Sequence, residues 1–218
     1  MSRSDRQIAI RSATQSDASF LAWAMLTAAR SHLPRGWFDI VLEKPEADCL
    51  EFLRRLARTE SRSWWHWSRF HVAEVDGAPA ATLCAFRAGD AYPLSGAAMG
   101  EVFASYGLSE AEQNAMWGRG SYIFTCTFED APDAWTIENV ATLPQHRRRG
   151  LVASLIAHVL PIGKRSGAHE TQISYLIGNE PAAHAYAQAG FAFYGERRSP
   201  EFQTATTSPG IVRVVKPL

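Results

Sequence analysis

Trp135-Thr136-Ile137-Glu138-Asn139-Val140-Ala141-Thr142, then Leu143-Pro144-Gln145-His146-Arg147-Arg148-Arg149-Gly150, then Leu151-Val152-Ala153 reads as a strand, a compact turn and the start of a helix. Pro144 restricts Leu143 to extended backbone, so the strand ends near Thr142. Beyond Gly150, apolar residues fall at Leu151, Val152, Leu155, Ile156, Val159 and Leu160, the spacing of a helix with one buried face. Pro161 reads as a kink or early end, before Gly167 closes the segment. A turn of this kind is an anion site on elementary grounds. The first N–H groups of the helix have no intrahelical acceptor, the helix dipole adds positive character, and Gly150 has no side chain to hold a ligand away. A pyrophosphate fits such a turn.

Further on, Thr171 to Ile177 reads as a second buried strand. After it comes Asn179-Glu180-Pro181-Ala182-Ala183-His184-Ala185-Tyr186-Ala187-Gln188-Ala189-Gly190-Phe191, with Asn179 as N-cap, Pro181 in the first turn and Gly190 just past the end of a helix.

Taken together, Val140-Ala141-Thr142-Leu143-Pro144, the Arg-x-x-Gly-x-Val of 147–152 and the Asn-x-x-Ala-x-x-x-Tyr-x-x-x-Gly-Phe of 179–191 resemble the acyl-CoA-binding core of the GNAT superfamily of N-acetyltransferases. The resemblance covers residues 134–198. It implies an α/β (α+β) fold: a mixed, mostly antiparallel central sheet of about six to eight strands, helices on both faces and a splayed acyl-CoA cleft. It implies acetyl-CoA as cosubstrate and no metal. Val140, Ala141 and Thr142 would follow the pantetheine arm. Arg147, Arg148, Arg149, Gly150, Leu151, Val152 and Ala153 would surround the pyrophosphate, and Asn179, Ala182 and Tyr186 would lie near the thioester. Val152 departs from the Gly or Ala usual in the family, and its branches would crowd a phosphate oxygen while leaving the amide available.

Acetyl transfer to an amine needs a polarised thioester carbonyl, a neutral amine and a protonated leaving thiolate. The N–H of Val140 is the candidate oxyanion donor and Tyr186 the candidate general acid; the alternative for Tyr186 is a packing role. Asn179 is explained by N-capping alone or by a ligand contact as well. Glu138 is the candidate base, because simple strand alternation puts it on one face with Val140 and Thr142; the alternative is an exposed strand carboxylate or one that only binds a cationic acceptor. Glu129, Asp130 and Glu74 are its weaker competitors, and His184 reads as a surface residue.

With 22 basic and 22 acidic residues in 218, the chain has no bulk attraction for nucleic acid or an anionic membrane. The basic run at 146–149 is too short for a nucleic-acid patch, and neither a Walker sequence nor a dinucleotide fingerprint is present. Met1 to Gln7 is polar and no apolar run approaches the ~18 residues of a membrane span, so a soluble cytoplasmic protein is expected. Cys49, Cys84 and Cys126 lack disulfide or zinc spacing and read as buried thiols.

One domain spans residues 1–218. Ile8 to Arg11 reads as a strand, and Thr14-Gln15-Ser16-Asp17 as a capping box opening a helix through Phe20, Leu21, Met25 and Leu26. A second helix runs from Pro45 to about Arg58, and Phe70–Val75 with Ala80–Phe86 forms a hairpin across Asp76-Gly77. Residues 88–132 are an insertion between strands, with a helix over Ala97–Tyr106, a capping box at Ser109 and Glu112, and a strand over Tyr122–Phe128. The insertion is expected to form a lid or wall of the acceptor pocket, the alternative being a dimer contact or surface decoration. Trp64-Trp65-His66-Trp67 is either an aromatic wall or core packing.

The expected function is acyl-CoA-dependent transfer of an acetyl group to a primary amine of a small molecule, amino acid or peptide, directly in a ternary complex. The alternatives are a non-catalytic CoA-thioester-binding sensor or scaffold, and acyl transfer to an alcohol. Homodimerisation is common among proteins of this type, though no residue pattern here requires it.

Overall fold

The computed structural model describes residues 8–218; the polar stretch Met1–Gln7 lies outside them. β1 (Ile8–Ser12) pairs antiparallel with β2 (Phe70–Val75), which turns at Asp76 and Gly77 into β3 (Ala78–Arg87). Both turn residues have positive φ, 54° and 79°, the geometry that makes Asp-Gly the preferred two-residue hairpin connection. β3 pairs antiparallel with β4 (Trp135–Thr142), and β4 runs parallel to β5 (Glu170–Leu176). β5 then pairs with β7 (Gly210–Pro217), whose other neighbour is the edge strand β6 (Ala192–Arg198). The seven strands stand in the order β1-β2-β3-β4-β5-β7-β6, and β4–β5 is the one parallel pairing among them.

Each face of the sheet has its own core. On one face, Phe70, Val72, Cys84 and Phe86 pack beneath α1 (Ala18–Arg30), α2 (Trp37–Leu42) and α3 (Glu46–Leu56). The insertion adds to this layer with α4 (Ala88–Ala91), α5 (Ser95–Ser105) and α6 (Glu110–Gly120), burying Met99, Val102, Phe103 and Met116. On the opposite face, Ala73, Leu83, Ala85, Trp135 and Ile137 pack against Leu151, Leu155, Ile156 and Val159 of α7 (Leu151–Arg165) and Tyr186 of α8 (Glu180–Gln188). A third small cluster joins Tyr122 and Cys126 to Phe202 of α9 (Pro200–Thr206) and Ile211 of β7.

Several sequence expectations change. Tyr122–Phe128 is no strand: Ser121–Thr125 forms a 3₁₀ turn, because burial of Tyr122 against Phe202 outweighs the strand preference of the run. Pro161 does not end α7, which continues to Arg165; Pro161 and Ala157 are both exposed, so water can serve the carbonyl that proline leaves without a donor. α2 was not anticipated from the sequence; at its start the Gly36 amide donates to Asp39 Oδ2 at 2.8 Å, and the insertion is a structural layer carrying its own share of the core. The Trp64–Trp67 segment is core: Trp65 is buried, and Trp64 and Trp67 pack on the same cluster. All three cysteines are buried and free.

The tightest approach of α7 to β4 is at Gly163, against Trp135. A Cβ on Gly163 would lie 2.5 Å from Trp135 Cγ, inside the ring's contact distance. Gly163→Ala should therefore destabilise the fold by about 1–3 kcal/mol through overpacking, although Ala is the better helix former by about 1 kcal/mol. Urea denaturation checks this; a stabilised variant would show that the ring moves aside freely.

Candidate active site

The parallel pairing of β4 with β5 lasts only from Trp135 opposite Thr171 to Ile137 opposite Ile173. From Glu138 to Thr142 the edge of β4 facing β5 has no strand partner, and β5 continues on its far edge with β7 alone. The departure coincides with a β-bulge. Cys84 stands opposite Glu138 and Thr82 opposite Ala141, so Asn139 and Val140 together face Leu83. Asn139 takes left-handed backbone, φ 53°, a conformation Asn tolerates better than most residues. Its side-chain amide donates to Cys84 Sγ at 3.4 Å, holding the bulge from inside. Bulges bend a strand and leave a residue unpaired. Open N–H and C=O groups along the splayed strand suit a ligand that carries its own amides, as a pantetheine arm does.

The bulge also corrects the face assignment of Glu138. Cross-strand partners share a face, so Glu138 and Ala141 lie on the side of Cys84 and Thr82, whereas Thr142 lies opposite with Ala81. Val140 packs toward the α7 core. Glu138 thus points to the α1 face and the insertion, and Val140 and Thr142 to the other face.

The turn after β4 begins with a 3₁₀ segment, Pro144–His146, and Arg148 (φ 58°) and Gly150 (φ 74°) both adopt left-handed backbone. Among the described residues, no acceptor is recorded for the amides of Arg148, Arg149, Gly150, Leu151, Val152 or Ala153; the first amide with one is that of Ser154, to Gly150 O at 3.0 Å. Nothing stands within 4 Å of where a Cβ on Gly150 would be, so the approach is open. Leu151 is buried and Val152, half-buried, packs against the α7 core. Arg147 and Arg148 are exposed; Arg147 Nε reaches Thr142 O at 3.5 Å, and Arg149 pairs with His146 Nδ1 at 3.0 Å. Thr142 Oγ1 is buried without a partner at the head of this turn. Free amides, an unpartnered hydroxyl and flanking guanidiniums fit a pyrophosphate and the chain attached to it.

Glu138 is half-buried, and Tyr92 Oη donates to its Oε1 at 3.0 Å. Burial pushes its pKa up to about 7, against the pull of the Tyr92 bond and the Arg213 charge, with Asp130 adding slightly to the rise. Behind it lies a polar network. Arg213 pairs with Asp130 at 2.8 Å and bonds Ser174 Oγ and Glu129 O, while Gln172 bridges Asp130 and Thr136. These bonds engage Asp130 structurally, and Glu74 is engaged by Arg11 at 2.7 Å, leaving Glu138 as the half-buried carboxylate beside the splay.

Tyr186 is 6% exposed and packed between Tyr175 and Phe191, at centroid distances of 5.8 and 6.4 Å. Burial and the Glu138 charge raise its pKa, so the phenol stays protonated. Asn179 caps α8, accepting from the Ala182 amide at 3.2 Å, and its Nδ2 donates to Ser31 Oγ at 2.7 Å. Both ends of its amide are therefore engaged within the protein. Ala182, one turn from Tyr186, is half-buried; His184 is exposed. Tyr92 was missed from sequence: in Ala91-Tyr92-Pro93 it reads as a turn residue, and nothing local points to a partner 46 positions away.

No helix among the described residues is long and apolar enough to cross a membrane. The pattern of the Acetyltransferase (GNAT) family matches residues 37–191. A stretch of 60 residues is 37% identical to the streptothricin acetyltransferase of Streptomyces lavendulae, spanning 28% of this chain and only 32% of that protein. The fold is similar to the crystal structure of an acetyltransferase, with a TM-score of 0.70 at 20% identity over 96% of this chain and 98% of that one. It is similar as well to an N-acetyltransferase from Staphylococcus aureus Mu50, with a TM-score of 0.67 at 17% identity over 95% and 100% of the two chains. With a family pattern over most of its length and a splayed, mostly antiparallel sheet, the chain belongs to the GNAT family of acetyltransferases, acyltransferases that use acetyl-CoA.

Proposed function

We propose that this protein transfers an acetyl group from acetyl-CoA to a primary amine of a small molecule, amino acid or peptide, directly in a ternary complex. The observation that carries the reading is the run of six amides without acceptors at 148–153, directly after a strand whose edge is open from residue 138 onward. Acetyl-CoA supplies the activated acyl group. The amides of the turn bind its pyrophosphate, with Arg147, Arg148 and Arg149 alongside. The open edge at Val140, Ala141 and Thr142 takes the pantetheine arm, and the Val140 N–H stabilises negative charge on the carbonyl oxygen. Glu138 takes a proton from the attacking amine as the C–N bond forms, and Tyr186 gives its proton to sulfur as the C–S bond breaks. Asn179 and Ala182 shape the wall around Tyr186, and the insertion closes the acceptor side next to Glu138. Glu138 also favours a cationic acceptor. Streptothricin, on which the curated relative acts by its name, is the first amine to screen.

Thiol release from acetyl-CoA tests the reading. Tyr186→Phe should lower kcat on the order of 100-fold while leaving KM for acetyl-CoA within about twofold, because only transition-state proton transfer is lost. Unchanged turnover would indicate a packing role for Tyr186, and acetyl-CoA binding without turnover on any amine would favour a sensor.

A second test concerns pH. The base must be ionised, so the rate should rise with pH through about 7, and Glu138→Gln should abolish that acidic limb with the activity. Stability follows the opposite sense. A carboxyl whose pKa is raised on folding stabilises the fold while protonated and loses that contribution as pH rises from the usual 4.5 through about 7. Glu138→Gln should therefore resist urea better than the parent at pH 8, with the advantage shrinking at pH 5. Equal stability of the two proteins at pH 8 would show that the carboxyl is not strained by burial.

A further inference from the structure

The insertion touches Glu138 by a hydrogen bond from one side chain, Tyr92. Its two ends are tied together at a neck, where the Ala88 amide donates to Ala134 O at 3.0 Å and the Gly89 amide to Pro132 O at 2.9 Å. The neck leaves no room for a side chain at 89, since a Cβ there would come within 2.9 Å of Pro132 O. Just beyond it, Tyr92 is wedged edge-on against Phe86, 5.1 Å between centroids, and against Trp64 at 5.8 Å, which itself packs on Trp65 at 4.5 Å. An aromatic held on two sides has little rotamer freedom, so its hydroxyl points one way. It points at Glu138 Oε1, and Oε2 has no hydrogen-bond partner among the described residues.

We propose that Tyr92 is a positioning residue for acyl transfer, holding the Glu138 carboxylate in one orientation beside the splayed strand by a hydrogen bond from its hydroxyl. This rests on the reading of Glu138 as the base. The tryptophan segment then has a role beyond filling the core: Trp64 buttresses the ring that aims the carboxylate. The insertion thereby influences the pH at which the base works, because a donor to a carboxylate favours its charged form.

The other groups that act on Glu138 come from different elements. Cys84 lies across the ladder on β3, Arg213 comes from β7, Asp130 from the far end of the insertion and Tyr186 from α8. On α1, packed over the same face, no ionisable side chain occurs between Asp17 and Arg30, and Arg30 is engaged by Asp39 and Glu46. Arg213 is held by Asp130 at 2.8 Å, which leaves the Tyr92 hydroxyl as the direct donor to the carboxylate.

Tyr92→Phe keeps the ring and its packing and removes only the donor. The carboxyl band of Glu138, identified in infrared spectra by its loss in Glu138→Gln, can be titrated without any acceptor. Its midpoint should move to higher pH in Tyr92→Phe. With a turning-over amine the acidic limb of the rate should move with it, lowering turnover at pH 6 on the order of tenfold at unchanged KM for acetyl-CoA. An unmoved midpoint overturns the proposal, as does a moved midpoint with unchanged rates from pH 6 to 9. If Glu138→Gln itself keeps the acidic limb, the base assignment fails first, and the role of Tyr92 with it.

Discussion

The left-handed turn of Asn139 inside β4 is the constraint on which the site depends. One extra residue opposite Leu83 bends the strand, ends its pairing with β5 after three residues, and reverses which side chains face which layer. Without it, β4 and β5 would be free to zip along their length and no edge would be left for a ligand. The bulge is held by packing on both faces and by the Asn139 bond to a fully buried Cys84 thiol, so the opening belongs to the resting fold and need not be created by binding.

The two layers divide the labour on either side of that opening. The α7 layer presents backbone: a helix start whose amides have no acceptor, anchored by Leu151 and Leu155 and by Gly163 on Trp135. The α1 layer, extended by residues 88–132, presents ionisable groups. Glu138 sits there between a donor tyrosine and an Arg213–Asp130 pair, in surroundings dry enough to raise its carboxyl toward neutrality. A titration shifted by burial beside an open strand edge is the kind of environment in which acid–base groups are found.

What the sequence made legible was whatever is encoded locally. The strand, turn and helix around Gly150, the cap at Asn179, the Asp76-Gly77 hairpin and the capping box at Ser109 each rest on a few adjacent residues with a fixed backbone preference, and each appears in the fold. The bulge was hidden because Glu138-Asn139-Val140 looks like ordinary alternation, and only pairing with β3 shows the added residue. Residues 122–128 read as a strand because aromatic and β-branched residues dominate; long-range packing on Phe202 decides otherwise. Tyr92 was illegible for the same reason: its meaning lies in a contact between segments far apart in the chain.

The central claim is that free amides and an open strand edge make one continuous site for a nucleotide-linked thioester. Calorimetric titration with acetyl-CoA, with ATP as the control that has phosphates but no pantetheine arm, tests it most directly. The account expects acetyl-CoA to bind with a dissociation constant on the order of micromolar, about −8 kcal/mol, and ATP to bind far more weakly. No heat from acetyl-CoA at millimolar concentration, or equal affinity for the two ligands, would contradict it.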